Sequence, residues 1–200
     1  ERLLFRLHKE RISNMTLNEV RAQIDAIDPK IKELFLERMD ASYHVAKVKF
    51  EAGETNIFRA DREQEIIARL TDDVVPERKE EYTAIVRKVM EVSRKYGLMY
   101  DWDPELFTPL AEGIDIRPEH RLVKVRLTRP DVCNSMSSIL SMIGDYGINM
   151  EEMRLLEINE ETSTVTFELT IRGNLLEVPM RKLMFQLSKE CSTFRILESF

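Results

Sequence analysis

Apolar residues in the first half of the chain recur at helical spacing. From Leu17 they return at alternating intervals of three and four residues up to Val48, and Gly53 follows the run. This pattern is typical of a long helix that packs against other helices. The apolar stripe occupies positions 17, 20, 24, 27, 31, 34, 38, 41, 45 and 48. Thr16 and Glu19 have the spacing of a capping box, which predicts the start of the helix.

Pro29 falls inside this run without disturbing its phase. We therefore predict one long kinked helix, rather than a second helix that begins at the Asp28-Pro29 pair. A short helix is predicted over 61–70 and a longer one over 77–96. The longer helix has an inner face formed by Tyr82, Ile85, Val89, Ser93 and Tyr96.

The second half of the chain has a different period. Residues 121–128 (RLVKVRLT) alternate strictly between apolar and polar, which predicts a strand. A helix over 135–146, strands over 150–158 and 163–172, a helix over 176–190 and a strand over 193–200 follow. The order βαββαβ is the ferredoxin-like plan. Residues 101–119 contain six acids, one base and three prolines, and they indicate a linker.

These patterns predict a two-domain chain that joins an α-helical domain to an α+β domain. The expected parts are an N-terminal extension (1–15), a helical domain (16–98), a linker (99–119) and a sheet domain (120–200).

Composition excludes several classes of function. The chain has 200 residues with 30 basic and 36 acidic side chains, and its net charge of −6 argues against a nucleic-acid partner. The longest uncharged stretch has 13 residues, too few to span a membrane. The charged start is unlike a signal peptide. Cys133 and Cys191 form no CxxC motif, and the three histidines (8, 44 and 120) are scattered, so we expect free thiols, no metal site and a cytoplasmic protein.

Arg38 interrupts the apolar stripe of the first helix. A guanidinium that faces a helical core needs an anionic partner. That partner is either a structural acid (Glu37, Glu63 or Glu65) or a ligand, unless the stripe simply reaches the surface there. Lys49 lies about 20° round the helix from Arg38 and about 16 Å along it, so the two side chains can close around a small anion.

Arg62 and Ser93 could complete a polar pocket with Arg38 and Lys49. Guanidinium groups bind carboxylates bidentately, so a dicarboxylate fits such a pocket. Arg21 lies about 25 Å from Arg38 along the same helix and cannot clamp the same small ligand within one chain. It is either an exposed helix residue or a residue that serves the pocket of a partner chain, which would imply an intertwined dimer.

Four segments resemble the all-helical chorismate mutases: VRAQIDAIDPKI, LFLERMDASYHVAKVK, ADREQEII and MEVSR. The resemblance covers about residues 17–97. It implies a domain-swapped helical dimer that converts chorismate to prephenate by a pericyclic rearrangement, in phenylalanine and tyrosine biosynthesis. It implies neither a metal nor a cofactor.

The resemblance also implies a role for each matching residue. Arg21 would cross from the partner chain to a substrate carboxylate, Arg38 would hold a carboxylate within the chain, and Lys49 would bind the ether oxygen. Arg62 would order the pocket and its carboxylate, Glu63 would meet the substrate hydroxyl, and Ser93 would lie near a carboxylate.

Two positions depart from the family pattern. Gly97 stands where a Gln commonly gives a second donor to the ether oxygen, and Arg59 stands where an Asp commonly lies near the substrate hydroxyl. Loss of such a donor costs roughly 10²–10³ in rate. Either Arg59, Arg94 or Lys95 compensates as a substrate-binding residue, or turnover is weak, or the domain only binds a ligand.

The second half resembles an ACT domain, on the strand RLVKVRLT, the turn PDVCN, the helix SMSSILSMIGDYG and the segment INM. This resemblance implies a regulatory domain that binds an amino acid such as phenylalanine or tyrosine. The candidate effector residues are Asp131, Asn134, Ser135 and Asn149. The alternative is a module that only dimerises.

Together these features predict a chorismate mutase with a regulatory domain that senses an amino acid, assembled as a homodimer or larger. The alternatives are a degenerate mutase-like domain that binds a ligand or dimerises, and an enzyme that acts on a related dicarboxylate such as isochorismate.

Overall fold

A computed structural model describes residues 15–52, 60–100, 102–133 and 135–200. Predictions that concern His8, Gly53, Arg59 and Asn134 lie outside the described residues. Helix α1 spans Leu17–Glu51, α2 spans Ala60–Thr71 and α3 spans Pro76–Tyr100.

Helix α1 begins at the predicted capping box. The Thr16 side chain accepts a hydrogen bond from the Glu19 backbone N–H at 3.3 Å, and the Glu19 carboxylate accepts one from the Thr16 N–H at 2.7 Å. These bonds favour the ionised carboxylate and lower the pKa of Glu19. The helix then continues without a break through Pro29, as the unbroken phase of the apolar stripe predicted.

Helix α3 packs on a face of α1 that the pattern did not predict. The contacts include Tyr43 against Tyr100, with ring centroids 3.6 Å apart, and Ser93 against the buried Met39. The predicted stripe lies elsewhere on the helix and is uncovered in the single chain. Its exposed members are Leu17, Ile24, Ile27, Ile31, Leu34, Val45 and Val48, each at least half exposed.

The inner face predicted for α3 was largely wrong for the same reason. Of its five predicted positions only Ser93 is buried, whereas Ile85 is 61% exposed. The buried positions are instead Val86, Met90 and Leu98. The helical period of α3 was predicted correctly, but α1 covers a different face of α3 from the predicted one.

Gly97 allows α3 to approach α1 closely. A Cβ atom at this position would lie 2.7 Å from the Cβ of Ala46. Real Cβ atoms do not approach this closely, and Ala46 has no flexible side chain that could move aside. The glycine is therefore a packing requirement of the α1–α3 contact.

The second half forms a four-stranded antiparallel sheet with two helices. Its elements are β1 (Leu122–Pro130), α4 (Ser135–Asp145), β2 (Met150–Asn159), β3 (Thr164–Arg172), α5 (Val178–Glu190) and β4 (Thr193–Ser199). The strand order is β2-β3-β1-β4, and the predicted order βαββαβ is confirmed. Alternate residues of β1 (Val123, Val125 and Leu127) are fully buried against α4 and α5.

Strand β2 is an edge strand with apolar residues in solvent. Met153, Leu155, Leu156 and Ile158 are all more than 40% exposed. An exposed apolar edge is a surface on which another chain can pair or pack.

Part of the predicted linker belongs to the sheet core. A 3-10 helix over Pro104–Ala111 lies against α5, and its Phe107 is buried among the core side chains. Arg181 of α5 stacks over the Phe107 ring at 5.5 Å from the centroid.

None of the helices within the described ranges is long and apolar enough to cross a membrane.

Helix α3 also joins the two halves of the chain. The Lys88 ammonium donates to Ser141 at 2.6 Å and pairs with Asp145 at 3.1 Å, both on α4. Lys95 donates to the Asp145 carbonyl at 3.0 Å and lies over the ring of Tyr146. The helical and sheet segments are therefore in direct contact through polar side chains of α3.

Replacing Gly97 by alanine tests the close approach of the two helices. Alanine has a better helix propensity by about 1 kcal/mol, but overpacking costs typically 1–3 kcal/mol. We expect Gly97→Ala to lower the free energy of unfolding, measured by urea denaturation. The matched control is Gly144→Ala on α4, where an added Cβ has no neighbour within 4 Å. A Gly97→Ala variant that is as stable as the wild type, or more stable, would show that α3 does not need the glycine to approach α1.

Candidate active site

The Arg38 guanidinium meets a buried hydroxyl at the α1–α3 contact. Its Nη1 donates to Ser93 Oγ, and Ser93 in turn donates to the Val89 carbonyl at 2.6 Å. Ser93 is 8% exposed, whereas Arg38 lies at the edge of the contact and is classed as exposed. The structure thus brings together two of the predicted pocket residues, 55 positions apart in the sequence.

Two of the three acids considered as structural partners of Arg38, Glu63 and Glu65, pair with other arginines. Glu65 accepts from Arg62 at 2.8 Å in an ion pair whose side chains are 60% and 64% exposed. Glu63 pairs with Arg94. Neither of these two carboxylates neutralises Arg38, and Arg38 is exposed in the single chain, as expected if the apolar stripe reaches the surface there. Ligand binding by Arg38 stays a prediction.

The remaining predicted residues are spread along the helices. Lys49 is half-buried in the last turn of α1, and Arg21 is exposed near the start of that helix. Arg62 is held in its own ion pair on α2. One chain therefore supplies the Arg38–Ser93 pair, whereas Arg21 and Arg62 are exposed and Lys49 is half-buried elsewhere on the helices.

Glu63 points to an ion-pair network that sequence reasoning missed. Its carboxylate pairs with Arg94, whose Nε donates to Glu190 at 3.2 Å. The Glu190 side chain is fully buried and also accepts from Gln186 at 2.8 Å. The Tyr146 hydroxyl donates to the side-chain amide oxygen (Oε1) of Gln186 at 2.9 Å. The network ties α2 and α3 to α5 of the sheet segment.

Burial and charge act in opposite directions on Arg94. Burial lowers the pKa of its guanidinium, and the charge of Glu190 raises it again. A buried ion pair of this kind contributes little net stability, but removing one partner is costly because a buried charge is left behind. The sequence carried a signal: Glu190 continues the apolar stripe of α5 (180, 183, 184 and 187), just as Arg38 interrupts that of α1.

A cavity of about 470 Å³ lies beside this network, between the helical segment and the β1–α4 turn. Glu63, Arg94 and Ser135 are among its lining residues. Arg129, another lining residue, is 3% exposed and donates from Nε to Ser135 Oγ at 3.2 Å. Ser135, one of the predicted effector residues, therefore lies at a cavity that both segments form.

Two other predicted effector residues lie at opposite ends of strand β3. The Asp131 N–H donates to the Ser163 carbonyl at 2.8 Å, just before β3, whereas the Asn149 carbonyl accepts from Arg172 at its end. The length of β3 places them about 26 Å apart, at about 3.3 Å per residue. A single site that uses both residues needs a second chain.

The cysteines have different environments. Burial raises the pKa of the Cys191 thiol to about 12, while Cys133 is exposed on the β1–α4 turn. Within the described ranges no three His, Cys, Asp or Glu side chains form a group that could hold a metal ion.

Comparison with known proteins gives a family match for the helical segment. A family model described as chorismate mutase type II matches residues 20–97. The match supports a chorismate mutase type II domain there. It covers less than half of the chain and leaves the sheet segment unassigned.

Other comparisons add little to this assignment. A search of curated proteins gives no match. One solved structure, titled "GqqA- a novel type of quorum quenching acylases", is 15% identical with a TM-score of 0.38. That match covers 42% of this chain and 43% of the other, so it spans less than half of either protein and carries no argument.

A chorismate mutase domain requires little from its side chains beyond charge and shape. The rearrangement is intramolecular, so catalysis consists of holding a reactive conformer and stabilising charge on the breaking ether bond. Fixed cations can do both. The Arg38 guanidinium, oriented by Ser93, is suited to hold a carboxylate within the α1–α3 contact.

The two thiols should differ strongly in reactivity. Since the thiolate is the nucleophile, a buried thiol with a pKa near 12 reacts slowly at pH 8. We expect iodoacetamide to alkylate Cys133 in the folded protein and Cys191 only after denaturation, as measured by peptide mass spectrometry. Equal alkylation of both thiols in the folded protein would show that the Cys191 thiol is accessible to solvent.

Proposed function

We propose that this protein is a cytoplasmic chorismate mutase that converts chorismate to prephenate in phenylalanine and tyrosine biosynthesis. The observation that carries the proposal is the Arg38–Ser93 pair inside the segment that matches the family model. A guanidinium placed on an apolar stripe and oriented by a buried hydroxyl has no structural acid to neutralise it among Glu63 and Glu65.

The proposed mechanism assigns the other cations to the same ligand. Arg38 and Arg62 hold substrate carboxylates, and Lys49 stabilises the negative charge that develops on the ether oxygen. Glu63 meets the substrate hydroxyl, for which it must turn away from Arg94. Arg59 is proposed as a further substrate-binding residue, and its position lies outside the described residues.

A second copy of the chain completes the proposed site. The uncovered stripe of α1 is a long apolar surface that a second α1 helix can cover. Arg21 lies on the same helix, too far from Arg38 to reach the same ligand within one chain. In a homodimer of intertwined helices it reaches the pocket of the partner. The exposed apolar edge of β2 offers a further contact for a dimer or a larger assembly.

The sheet segment is proposed to be an ACT-like regulatory domain that senses phenylalanine or tyrosine. Its element order, strand order and the buried Ser135 at an interdomain cavity support this proposal. Asp131, Asn134 and Asn149 are the other proposed effector residues. Asp131 and Asn149 could serve one site only if two chains contribute.

A second candidate function is binding without turnover. Gly97 favours it, because a glutamine at this position would clash with Ala46 and cannot be restored without moving the helices apart. The ion pair between Arg94 and Glu63 also favours binding without turnover, because Glu63 must leave this pair to meet the substrate hydroxyl. In this alternative the mutase-like domain dimerises or binds a ligand, or accepts a related dicarboxylate such as isochorismate.

The direct test is the disappearance of chorismate, followed by its ultraviolet absorbance at neutral pH. We expect turnover by the wild type and a loss of at least 10²-fold in kcat/KM for Arg38→Ala, since a charged contact to the substrate is lost. The matched control is Lys47→Ala, an exposed position nine residues further along α1 and on the opposite side of the helix from Arg38, which should keep wild-type activity.

Two results would contradict the proposal. A folded wild-type protein without turnover favours the binding-only alternative. An Arg38→Ala variant that unfolds, as shown by circular dichroism, would mean that Arg38 is a structural residue of the α1–α3 contact.

A further inference from the structure

Arg94 bridges two carboxylates that belong to different segments of the chain. Its Nη1 donates to Glu63 on α2, and its Nε donates to Glu190 on α5 at 3.2 Å. Burial increases along this bridge, since the side chain of Glu63 is 22% exposed, that of Arg94 is 11% exposed and that of Glu190 is fully buried. Two acids therefore share one guanidinium charge in a place where solvent screens their interactions weakly.

The sheet segment fixes the Glu190 end of this bridge. The Glu190 carboxylate also accepts from the Gln186 side chain at 2.8 Å, one turn earlier on α5. Gln186 is itself fully buried and accepts from the Tyr146 hydroxyl at 2.9 Å. If the Glu190 carboxylate moved, it would lose an ion pair and a hydrogen bond without gaining water in exchange.

The Glu63 end of the bridge is adaptable. Glu63 lies in the first turn of α2 and keeps part of its surface in solvent. A carboxylate that leaves Arg94 on this side can be solvated, whereas the carboxylate of Glu190 cannot. A ligand that draws one of the two acids away from Arg94 therefore draws Glu63, which is the acid proposed to meet the substrate hydroxyl.

The charge of Glu190 weakens the attraction between Arg94 and Glu63. Glu190 shares the guanidinium charge with Glu63, and the two carboxylates repel each other because they carry like charges. With a neutral side chain at position 190, Arg94 would neutralise Glu63 alone and would hold it more firmly. Glu190 thus lowers the cost of turning Glu63 towards a substrate.

We propose that Glu190 and Arg94 are positioning residues for Glu63, so that the sheet segment sets the affinity of the helical segment for chorismate. This inference rests on the proposed reaction and deepens it. In this scheme neither Glu190 nor Arg94 contacts the substrate, and both act through the availability of Glu63. The sheet segment contributes to the proposed active site only while it is docked on α3.

Steady-state kinetics of the full chain with chorismate test the direction of this effect. Glu190→Gln removes the charge and keeps a side chain of the same size that can accept from Gln186. We expect its KM to rise at least threefold and its kcat to stay within twofold of the wild type. The reason is that Glu63 must leave a stronger ion pair before the substrate binds, which affects binding and not the chemical step.

A double variant releases Glu63 from the bridge. In Arg94→Gln/Glu190→Gln both charged partners are neutral, and we expect the KM to fall at least twofold below that of the wild type with kcat within twofold. This variant leaves no buried carboxylate without its cation at position 190, so it tests the scheme even if Glu190→Gln does not fold.

The matched control is Asp145→Asn, which removes the same charge from another ion pair between the two segments. Asp145 pairs with Lys88 of α3 at 3.1 Å, at a different point of the contact. Its kcat and KM should equal those of the wild type. A general loosening of the contact between the segments is thereby distinguished from the loss of the charge of Glu190.

A double-mutant cycle between Glu63 and Glu190 tests the bridge without any substrate. Glu63→Gln or Glu190→Gln alone leaves Arg94 with one of these carboxylates, whereas the two changes together leave it with neither. The midpoint of urea unfolding should therefore fall in the double variant by more than the sum of the two single shifts. The corresponding cycle between Glu63 and Asp145 should be additive.

Three results would overturn the inference. An additive cycle between Glu63 and Glu190 would show that Arg94 does not couple them. An unchanged or lower KM for a folded Glu190→Gln variant would show that the charge of Glu190 does not weaken the ion pair of Glu63. A kcat at least tenfold lower in Arg94→Gln/Glu190→Gln would show that Arg94 itself contacts the substrate.

Failure of the proposed reaction gives a different result. A folded wild-type protein without turnover, but with a non-additive cycle between Glu63 and Glu190, would contradict the proposed reaction and support the bridge. Turnover by the wild type together with an additive cycle would support the reaction and contradict the bridge.

Discussion

The uncovered apolar stripe of α1 is the constraint on which the rest of the account depends. Leu34 is 65% exposed and Val48 is 64% exposed, on a helix of 35 residues that the single chain covers on another face. Burying each exposed leucine or valine would contribute roughly 1.5–3 kcal/mol of favourable free energy. This stripe carries Arg38, so the surface that needs a partner is also the surface that presents the candidate site.

The second organising contact is ionic and lies between the two segments. Glu190 is a fully buried carboxylate at the end of α5, and Arg94 reaches it from α3. Since an unpaired buried carboxylate is costly, the helical segment cannot leave the sheet segment without exposing or protonating it. The same guanidinium holds Glu63. A change at the interdomain cavity therefore reaches a residue of the proposed reaction through one side chain.

The local sequence pattern was sufficient to predict the helices and strands, because helical and alternating periods depend only on residues that are close together in the sequence. The capping box at Thr16, the unbroken helix through Pro29 and the βαββαβ order all follow from such short-range signals. The faces were not predictable in this way. The stripe of α1 is the most apolar face of the helix, but the single chain buries the face around Met39 instead. Gly97 has no side chain, and this allows α3 to approach that face closely.

The candidate site was predictable only where a charge broke an apolar stripe. Arg38 was found by that signal, and its contact with Ser93 is present. Glu190 carried the same signal and was missed. Its partner Arg94 comes from 96 positions earlier in the chain, and such a pairing depends on how the segments dock. The roles of Arg21, Lys49 and Arg62 concern a second chain or a bound ligand, and they stay predictions.

The most direct test of the central claim, that one site is built from two chains, is complementation between two inactive variants. Arg21→Ala and Arg38→Ala are each expected to be inactive alone. When equal amounts are unfolded together and refolded, half of the dimers are mixed, and each mixed dimer has one site with both arginines intact. The account predicts recovery of about one quarter of wild-type turnover in the mixture. A mixture as inactive as its two parents would show that Arg21 and Arg38 do not meet across two chains.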